Sequence, residues 1–225
     1  MKNIAIIPSG GSGLRAGANI PKQYLKFNGK ELIAYTLEVF QSCELIDEII
    51  IPAKKEYFKL LNQIKEKYSI SKLIKIVEGG KERQDSVYNA LSHISTDEKT
   101  FVAVHDAARP LLPINILNTA LKSVQKFDNI VIAINAKDTL INGDEFVDSF
   151  IERKSVFYVQ TPQIFKYENL KKAMELAKKE NFYGTDESML VKRAGFEVKI
   201  AEGSALNFKV TTESDIELFK AITKV

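Results

Sequence analysis

The sequence predicts an α/β protein with a doubly wound, mainly parallel, Rossmann-like sheet. Short apolar runs rich in Ile and Val are typical of strands buried on both faces, and they lie at 4–7, 48–51, 73–77, 101–104 and 130–134. Stretches with apolar residues at helical spacing separate them, and these lie at 31–40, 57–68 and 114–127. This alternation predicts right-handed βαβ units and a largely parallel sheet.

The pattern changes after residue 134. Asn142-Gly143 between two short apolar segments predicts a β-hairpin, because this pair favours a type I′ turn. A last helix is predicted from Glu213, with Thr212 and Asp215 as a capping pair. The remaining predicted elements are strands at 156–159 and 197–200 and helices at 168–179 and 187–194. We therefore expect a single domain over 1–225, with a projecting arm at about 137–159.

Composition limits the classes of function. The 32 Lys and Arg residues nearly balance the 29 Asp and Glu residues, so the sequence lacks the basic excess expected of a nucleic-acid-binding protein. Cys43 is the only cysteine, which excludes an intrachain disulfide and fits a reducing compartment. The first apolar run ends at Pro8, too early for a signal peptide, and no run is long enough to span a membrane. We expect a cytoplasmic protein without nucleic-acid or membrane partners.

The loop after the first predicted strand is rich in glycine and cations. It contains Gly10, Gly11 and Gly13, ends on Arg15, and is followed by Lys22. Glycines there let backbone N–H groups approach phosphate oxygens, and the two cations lie where a triphosphate would bind. The alternative is a glycine-rich turn with solvated cations, which the strand context makes less favoured.

Two familiar phosphate-binding motifs do not explain this loop. A dinucleotide fingerprint can be traced from Gly11, but the second predicted strand lacks the acidic residue that this motif requires at its end. The Gly29-Lys30 pair lacks the spacing of a Walker A motif.

Two further loops follow predicted strands. Gly79-Gly80 permits close backbone approach, and Asp85 or Ser86 can cap the next helix. A plain Gly-Gly turn with an N-cap explains this segment equally well. Asp106 directly follows an apolar strand, where a single carboxylate suits Mg²⁺ held together with substrate phosphates.

Three more residues complete the candidate set. Arg109 offers a bidentate fork to a phosphate. A surface Asp–Arg pair is the alternative, but the small residues Ala107 and Ala108 leave room for a ligand. Lys209 lies in an extended apolar segment, so its ammonium group is expected to point at the ligand, whereas His105 is expected to be structural. By themselves, 160–163 and 185–187 are typical of turns, caps or surface charge.

Seven short motifs follow one another along the chain: Gly11-x-Gly13-x-Arg15, Pro21-Lys22-Gln23-Tyr24, Gly79-Gly80-x-x-Arg83-x-x-Ser86-Val87, His105-Asp106-Ala107-Ala108-Arg109-Pro110, Thr161-Pro162-Gln163, Thr185-Asp186-Glu187 and Lys209-Val210-Thr211. Together they resemble the 2-C-methyl-D-erythritol 4-phosphate cytidylyltransferases of the non-mevalonate isoprenoid pathway, over essentially the whole chain. The resemblance implies a sheet of the nucleotide-diphospho-sugar transferase type. It also implies a Mg²⁺-dependent reaction of CTP with a small sugar-alcohol phosphate that releases pyrophosphate.

The resemblance also implies residue roles. The residues that would hold the CTP phosphates are Ser9, Gly10, Gly11, Gly13, Arg15 and Lys22. Those that would bind the rest of the nucleotide, including its cytosine, are Gly79, Gly80, Arg83 and Ser86. Asp106 would bind Mg²⁺ and the substrate, and the sugar-phosphate side would be lined by Arg109, Thr161, Thr185 and Lys209. Arg15, Lys22 and Lys209 would be the catalytic cations.

The resemblance further implies a homodimer, with Thr139 and Arg153 of each arm reaching the neighbouring subunit's site. The arm is rich in apolar side chains that a short hairpin cannot enclose, and such a patch usually marks an interface: Leu140, Ile141, Phe146, Val147, Phe150, Ile151, Val156 and Phe157. Packing of the arm onto the chain's own sheet is the alternative.

The sequence departs from the family pattern in three places. The family commonly has Pro-Ala-Ala-Gly where this chain has Pro-Ser-Gly-Gly at 8–11, it often has Met where Ala16 stands, and the surroundings of Arg153 also differ. Ribitol-5-phosphate cytidylyltransferases form the nearest alternative, although they tend to carry Ser-Val in place of Ala107-Ala108. A non-catalytic nucleotide-binding domain is the alternative from another functional class.

Overall fold

The computed structural model describes residues 1–11, 20–95 and 99–224. The strands are β1 (Lys2–Ile6), β2 (Lys26–Phe27), β3 (Lys30–Glu31), β4 (Glu48–Ala53), β5 (Leu73–Glu78), β6 (Thr100–Val104), β7 (Asn129–Asn135), β8 (Leu140–Gly143), β9 (Val147–Ile151), β10 (Phe157–Lys166) and β11 (Lys199–Glu202). The α-helices are α1 (Leu32–Ser42), α2 (Phe58–Lys67), α3 (Arg83–Leu91), α4 (Ile114–Phe127), α5 (Tyr167–Lys179), α6 (Glu187–Arg193) and α7 (Glu213–Ile222).

Among the described residues, seven strands form the main sheet, in the order β11-β7-β10-β6-β1-β4-β5. Every neighbouring pair is parallel except the two that β10 makes with β6 and β7, which are antiparallel. The predicted, mainly parallel α/β sheet is confirmed. Its strands β5, β4, β1 and β6 lie side by side with their carboxyl ends at one edge, which is where ligands bind in open α/β sheets.

Both faces of the sheet are buried, which explains its continuous apolar runs. Along β1, Ala5 packs into the core on one face with α1, α2 and α4. Ile4 and Ile6 pack into the core on the other face with α3, α5 and α6. Because successive strand residues point to opposite faces, a strand covered on both sides contains no obligatory polar position.

One segment that reads as a turn in the sequence lies within a strand. Gln160, Thr161, Pro162 and Gln163 are part of β10 and are buried. The expectation of a turn or cap was therefore wrong there. The pairing of β10 with β7 is interrupted between Val159 and Gln163, so Pro162 lies where no ladder hydrogen bond is demanded of it.

The last helix begins as predicted. The Thr212 hydroxyl accepts a hydrogen bond from Asp215 N–H at 3.2 Å, and the Asp215 carboxylate accepts one from Thr212 N–H at 2.7 Å. This reciprocal pair satisfies two N–H groups that a helix start otherwise leaves unbonded. Helix α7 then packs through Phe219 against Phe27 and Leu32, which continue the core beside the β2–β3 hairpin.

The arm is the predicted hairpin, but its turn is displaced. Asn142 pairs with Ser149 and Gly143 pairs with Val147, so the chain reverses over 144–146 rather than at Asn142-Gly143. An irregularity in the ladder at Asn142 and Gly143 accommodates the longer turn. The β8–β9 pair forms its own two-stranded sheet. Phe146 is 82% exposed and Phe150 is 73% exposed, so the alternative of an arm packed onto its own sheet is wrong for the hairpin, although 157–159 belong to the main sheet.

Cys43 is buried and donates a hydrogen bond from Sγ to Asn118 Oδ1 at 3.2 Å. Burial raises the pKa of its thiol, which fits the packing role expected from the sequence. Within the described ranges, every helix is too short or too polar to cross a membrane.

Candidate active site

A pocket of about 510 Å³ opens at the carboxyl ends of β1, β4, β5 and β6. Its walls come from the segments that follow these strands, at 8, 10–11, 54, 80–83, 86 and 106–108, together with Lys22, Gln23 and Lys209. The sheet topology therefore brings the three glycine-rich or charged loops of the sequence to one place.

The wall after β1 is held from behind by Gln23 and Tyr24. The Gln23 amide donates to the carbonyl oxygens of Ser9 at 2.9 Å and Gly11 at 3.1 Å. The Tyr24 hydroxyl donates to the Ser9 carbonyl at 3.0 Å and accepts from the Ser9 hydroxyl at 2.8 Å. Ser9 is consequently buried behind the pocket, whereas Gly10 and Gly11 line it.

The wall after β5 is held together by Ser86. Its hydroxyl accepts from Gly80 N–H at 3.0 Å and donates to the Glu82 carbonyl at 3.0 Å. A side chain at Gly80 would collide with Asp85, so the close approach of the loop to α3 requires glycine there. Glu82 is the N-cap residue of α3, and Asp85 accepts from its N–H at 3.0 Å. Asp85 therefore helps to cap the helix as expected, as the partner of Glu82 in a capping box, whereas Ser86 does not.

Three cationic side chains surround Asp106, and we call them the cation cluster: Arg83, Arg109 and Lys209. Asp106 Oδ1 lies 3.3 Å from Arg83 Nε, and Oδ2 lies 3.3 Å from Arg109 Nε and 3.1 Å from Lys209 Nζ. The cluster gathers residues from α3, the loop after β6 and the segment before α7. One carboxylate thereby collects positive charge from distant parts of the chain.

The electrostatics of Asp106 follow from this arrangement. Burial alone would raise the pKa of Asp106, but Arg83, Lys209 and Arg109 hold it well below its usual range. Burial alone would lower the pKa of Arg83, but the carboxylates of Glu187 and Asp106 raise it above its usual range. The carboxylate and the guanidinium are therefore both charged at neutral pH.

Arg83 has a second carboxylate partner. Its Nη1 atom lies 2.6 Å from Oε1 and 2.8 Å from Oε2 of Glu187, the first residue of α6. Glu187 is only 1% exposed. Arg83 is thus fastened between Glu187 and Asp106, while part of its side chain remains on the pocket wall.

Behind Asp106, a hydrogen-bond chain fixes its loop. Asp106 N–H donates to Thr161 Oγ1 at 3.0 Å, and Thr161 Oγ1 lies 3.1 Å from His105 Nδ1. His105 Nε2 lies 3.1 Å from the Arg109 carbonyl oxygen, which only accepts, so Nε2 carries the proton and Nδ1 accepts from Thr161. Burial lowers the pKa of His105 to about 4, so the ring is neutral and structural, as expected from the sequence.

Comparison with known proteins identifies the family. A model of the 2-C-methyl-D-erythritol 4-phosphate cytidylyltransferase family matches residues 3–224. The chain belongs to this family.

Individual relatives agree with this assignment. The chain is 39% identical over 221 residues to the 2-C-methyl-D-erythritol 4-phosphate cytidylyltransferase of Lachnospira eligens, with 96% of each chain covered. It is 40% identical over 228 residues to the protein of that name from Clostridium perfringens, with 99% of each covered. These names do not favour the ribitol-5-phosphate alternative.

Solved structures give the same answer for the fold. The crystal structure of 4-diphosphocytidyl-2C-methyl-D-erythritol synthase from Anaerococcus prevotii superposes with a TM-score of 0.86 at 28% identity, covering 98% of this chain and 97% of that one. The 2-C-methyl-D-erythritol 4-phosphate cytidylyltransferase of Thermus thermophilus gives 0.82 at 27% identity, with both chains fully covered.

Some residues that the cytidylyltransferase resemblance singles out do not line this pocket. Thr185 is exposed beside the start of α6, and Thr139 and Arg153 are exposed on the arm. The Arg153 guanidinium donates to the Lys137 carbonyl at 2.7 Å, which holds it at the root of the arm. Gly13 and Arg15 lie outside the described residues. The roles given to these five residues, like those given to the other candidate site residues, stay predictions.

The structure adds residues that sequence reasoning assigned no role. Gln23 fastens the first loop, Lys54 adds a cation to the pocket wall, and Glu187 holds Arg83. Asn207 accepts from Arg109 Nη1 through its carbonyl at 2.7 Å and donates to the Thr161 carbonyl at 2.7 Å. For Glu187 a signal existed: it precedes Leu190 and Val191 by three and four residues, which places a carboxylate on the buried stripe of α6.

The donor set limits how a metal can bind. The described residues contain no group of three or more His, Cys, Asp or Glu side chains that could hold a metal by themselves. Asp106 is a single carboxylate whose oxygens already face three cations. It fits Mg²⁺ only in the common arrangement in which one or two carboxylates share the ion with substrate phosphates and water.

Proposed function

We propose that the chain joins CTP to 2-C-methyl-D-erythritol 4-phosphate, giving the CDP-linked sugar alcohol and pyrophosphate, in isoprenoid precursor synthesis. The observation that carries this proposal is the cation cluster around Asp106, facing a glycine-rich wall across one pocket. Such a pocket suits two polyanionic substrates that must be brought together. Family membership supplies the identity of the substrates.

In the proposed reaction, a phosphate oxygen of the sugar alcohol attacks the α-phosphorus of CTP. A new P–O bond forms, the bond from the α-phosphorus to the bridging oxygen breaks, and pyrophosphate leaves with that electron pair. A phosphate monoester is already ionised near neutral pH, with a second pKa of about 6. The reaction therefore needs no general base, which agrees with the neutral, buried state of His105.

Catalysis then depends on positioning and on charge stabilisation. We assign Lys22 and Lys209, with Arg15, to the triphosphate and the charge that develops on the α-phosphoryl group. We assign Arg109 to the phosphate of the attacking substrate. Gly10, Gly11 and Gly80 allow the backbone to approach the nucleotide closely, because no side chain intervenes.

Mg²⁺ enters this proposal together with CTP. Asp106 would help to hold the ion, which would neutralise phosphate charge in the pocket. Arg83, Arg109 and Lys209 hold the Asp106 carboxylate in its charged form, which is the form that a hard cation requires.

The active form in this proposal is a homodimer joined through the arm, and its location is the cytoplasm. Exposed Phe146 and Phe150 support the dimer, since large apolar side chains on a two-stranded hairpin gain stability only when a partner covers them. Arg153 would reach the neighbouring site from the arm. Cys43, the only cysteine of the sequence, is a buried free thiol, which fits this location.

The decisive experiment measures pyrophosphate release with CTP and Mg²⁺, comparing 2-C-methyl-D-erythritol 4-phosphate with ribitol 5-phosphate. Preferred turnover of the first supports the proposal, and preferred turnover of the second supports the alternative. CTP binding without pyrophosphate release, in the presence of either sugar-alcohol phosphate, would indicate a non-catalytic nucleotide-binding domain. The Lys209→Ala variant is the control that links release to this pocket.

A further inference from the structure

We propose that Glu187 is a positioning residue, which holds Arg83 and, through Arg83, the Asp106 carboxylate in the arrangement that nucleotidyl transfer requires. The inference rests on the proposed function and adds a residue that does not line the pocket.

The geometry connects three elements through one guanidinium group. Arg83 is the first residue of α3, Glu187 is the first residue of α6, and Asp106 lies in the loop after β6. The contacts of Arg83 with Glu187, at 2.6 and 2.8 Å, are shorter than its 3.3 Å contact with Asp106. Glu187 is therefore the firmer anchor, and it determines where Arg83 meets Asp106.

Stabilisation of the fold alone does not explain well why a buried carboxylate is present at Glu187. A buried ion pair is weak support for stability, because desolvation offsets most of the attraction and apolar residues of similar size often stabilise the fold as well. The pair does, however, hold Arg83 in one direction with part of its side chain on the pocket wall. That directional role is what an apolar replacement could not supply.

The charges predict a specific kinetic signature. Glu187→Gln leaves the three cations of the cluster in place and adds no negative charge to the region. Attraction of CTP should therefore not weaken. The position of Arg83 and Asp106 should loosen, and because small misplacements of reacting groups slow transfer strongly, we expect kcat to fall by about 10-fold to 100-fold.

The first test measures kcat and CTP affinity for Glu187→Gln, with kcat expressed per calorimetrically determined CTP site. The matched control is Ser188→Ala, which removes a hydroxyl bonded to Asp186 at the same helix start without touching Arg83. We expect the reduced kcat in Glu187→Gln alone, with CTP affinity unchanged or tighter. An unchanged kcat per site, or an equal loss in the control, would overturn the inference.

The second test is a double-mutant cycle of Arg83→Met and Glu187→Met. If Glu187 acts only through Arg83, the double variant has the kcat of Arg83→Met alone, and independent effects that multiply would contradict this. The double variant removes both buried charges together. Comparing its kcat with that of Arg83→Met therefore still tests the inference if Glu187→Met alone does not fold. Absence of turnover in the unmodified chain would overturn the proposed function itself, and the inference with it.

Discussion

Lys209 Nζ lies 3.1 Å from Asp106 Oδ2, although the two residues belong to distant parts of the sequence. The next residue, Val210, donates its N–H to the Ala108 carbonyl at 2.8 Å, which fastens the segment before α7 to the loop after β6. The Lys209 side chain remains 44% exposed, so its ammonium group can contact both Asp106 and a bound anion.

The first prediction concerns Lys209→Ala. Loss of a preorganised cation at the developing charge should lower kcat by roughly 10² to 10³, the effect of removing one oxyanion donor. Because the ion pair is partly exposed, unfolding free energy should change by less than about 1 kcal/mol. Steady-state kinetics and thermal unfolding measure the two quantities.

Lys192→Ala is the matched control for this substitution. It removes a lysine paired with Glu197 at 2.8 Å on the outer surface, and it should leave kcat unchanged. Lys22→Ala, which removes another cation from the pocket wall, should resemble Lys209→Ala in its loss of kcat. Near-normal turnover in both the Lys22 and Lys209 variants would show that the site is wrongly assigned.

The second prediction concerns Asp106→Asn. The amide keeps the shape of the side chain but removes the charge that a hard cation needs. We expect turnover to require much more Mg²⁺, or to fail at any concentration. Titrating Mg²⁺ at saturating CTP measures the shift, and a titration that matches the unmodified chain would remove Asp106 from the metal role.

A related prediction follows for the chain without nucleotide. Since Asp106 already faces three cations, Mg²⁺ alone should bind weakly, and its affinity should rise when CTP supplies phosphate oxygens. Calorimetry with and without CTP tests this coupling. Tight Mg²⁺ binding to the chain alone would argue for a metal site elsewhere.

The third prediction concerns Gln23→Glu. The change is nearly isosteric, but it removes the amide hydrogens bonded to the Ser9 and Gly11 carbonyls. Each of these hydrogen bonds contributes about 0.5–1.5 kcal/mol, so the glycine-rich wall should loosen and CTP affinity should fall by about 10-fold.

Gln41→Glu serves as the comparison for Gln23→Glu. Gln41 donates to Ser71 at 2.9 Å at the end of the sheet away from the pocket, so its variant should bind CTP normally. If the two variants bind CTP equally well, Gln23 does not organise the phosphate loop.

The fourth prediction is a dimer through the arm. Phe150→Ser should convert a stable dimer to monomer at micromolar concentration, because Phe150 is 73% exposed on the hairpin within the chain itself. Sedimentation velocity measures the change. A stable, active monomer of the unmodified chain at this concentration would contradict the dimer.

Complementation tests whether the arms cross between subunits. Arg153→Ala and Lys22→Ala subunits are mixed under conditions that allow exchange. If each arm reaches the other subunit, one site of a mixed dimer carries both changes and the other carries none. Random mixing should then restore about a quarter of the sites, as expected for a two-fold assembly. No recovery, with exchange verified, would place Arg153 in its own subunit's site or in none.

Local features of the sequence were sufficient to predict most of the architecture. Buried strands require continuous apolar runs, and helices that cover them require apolar stripes, so the alternation along the chain predicts the layered α/β fold. Asp106 was predicted at the site because it lies just after the end of a buried strand. In open α/β sheets, ligands bind beyond the carboxyl ends of the strands. The capping pair of Thr212 and Asp215 was predicted because a capping box needs only two residues that are three positions apart in the sequence.

Tertiary structure decided the features that depend on which distant residues meet. Residues 160–163 have a sequence typical of a turn, but they lie in a buried strand because β10 pairs antiparallel with β6 and β7. Local residue spacing does not specify which strands pair. The link from Glu187 through Arg83 to Asp106 is likewise invisible along the chain. The apolar stripe of α6 places Glu187 on the buried face, but only the tertiary arrangement that brings the first residues of α3 and α6 together makes a guanidinium its partner.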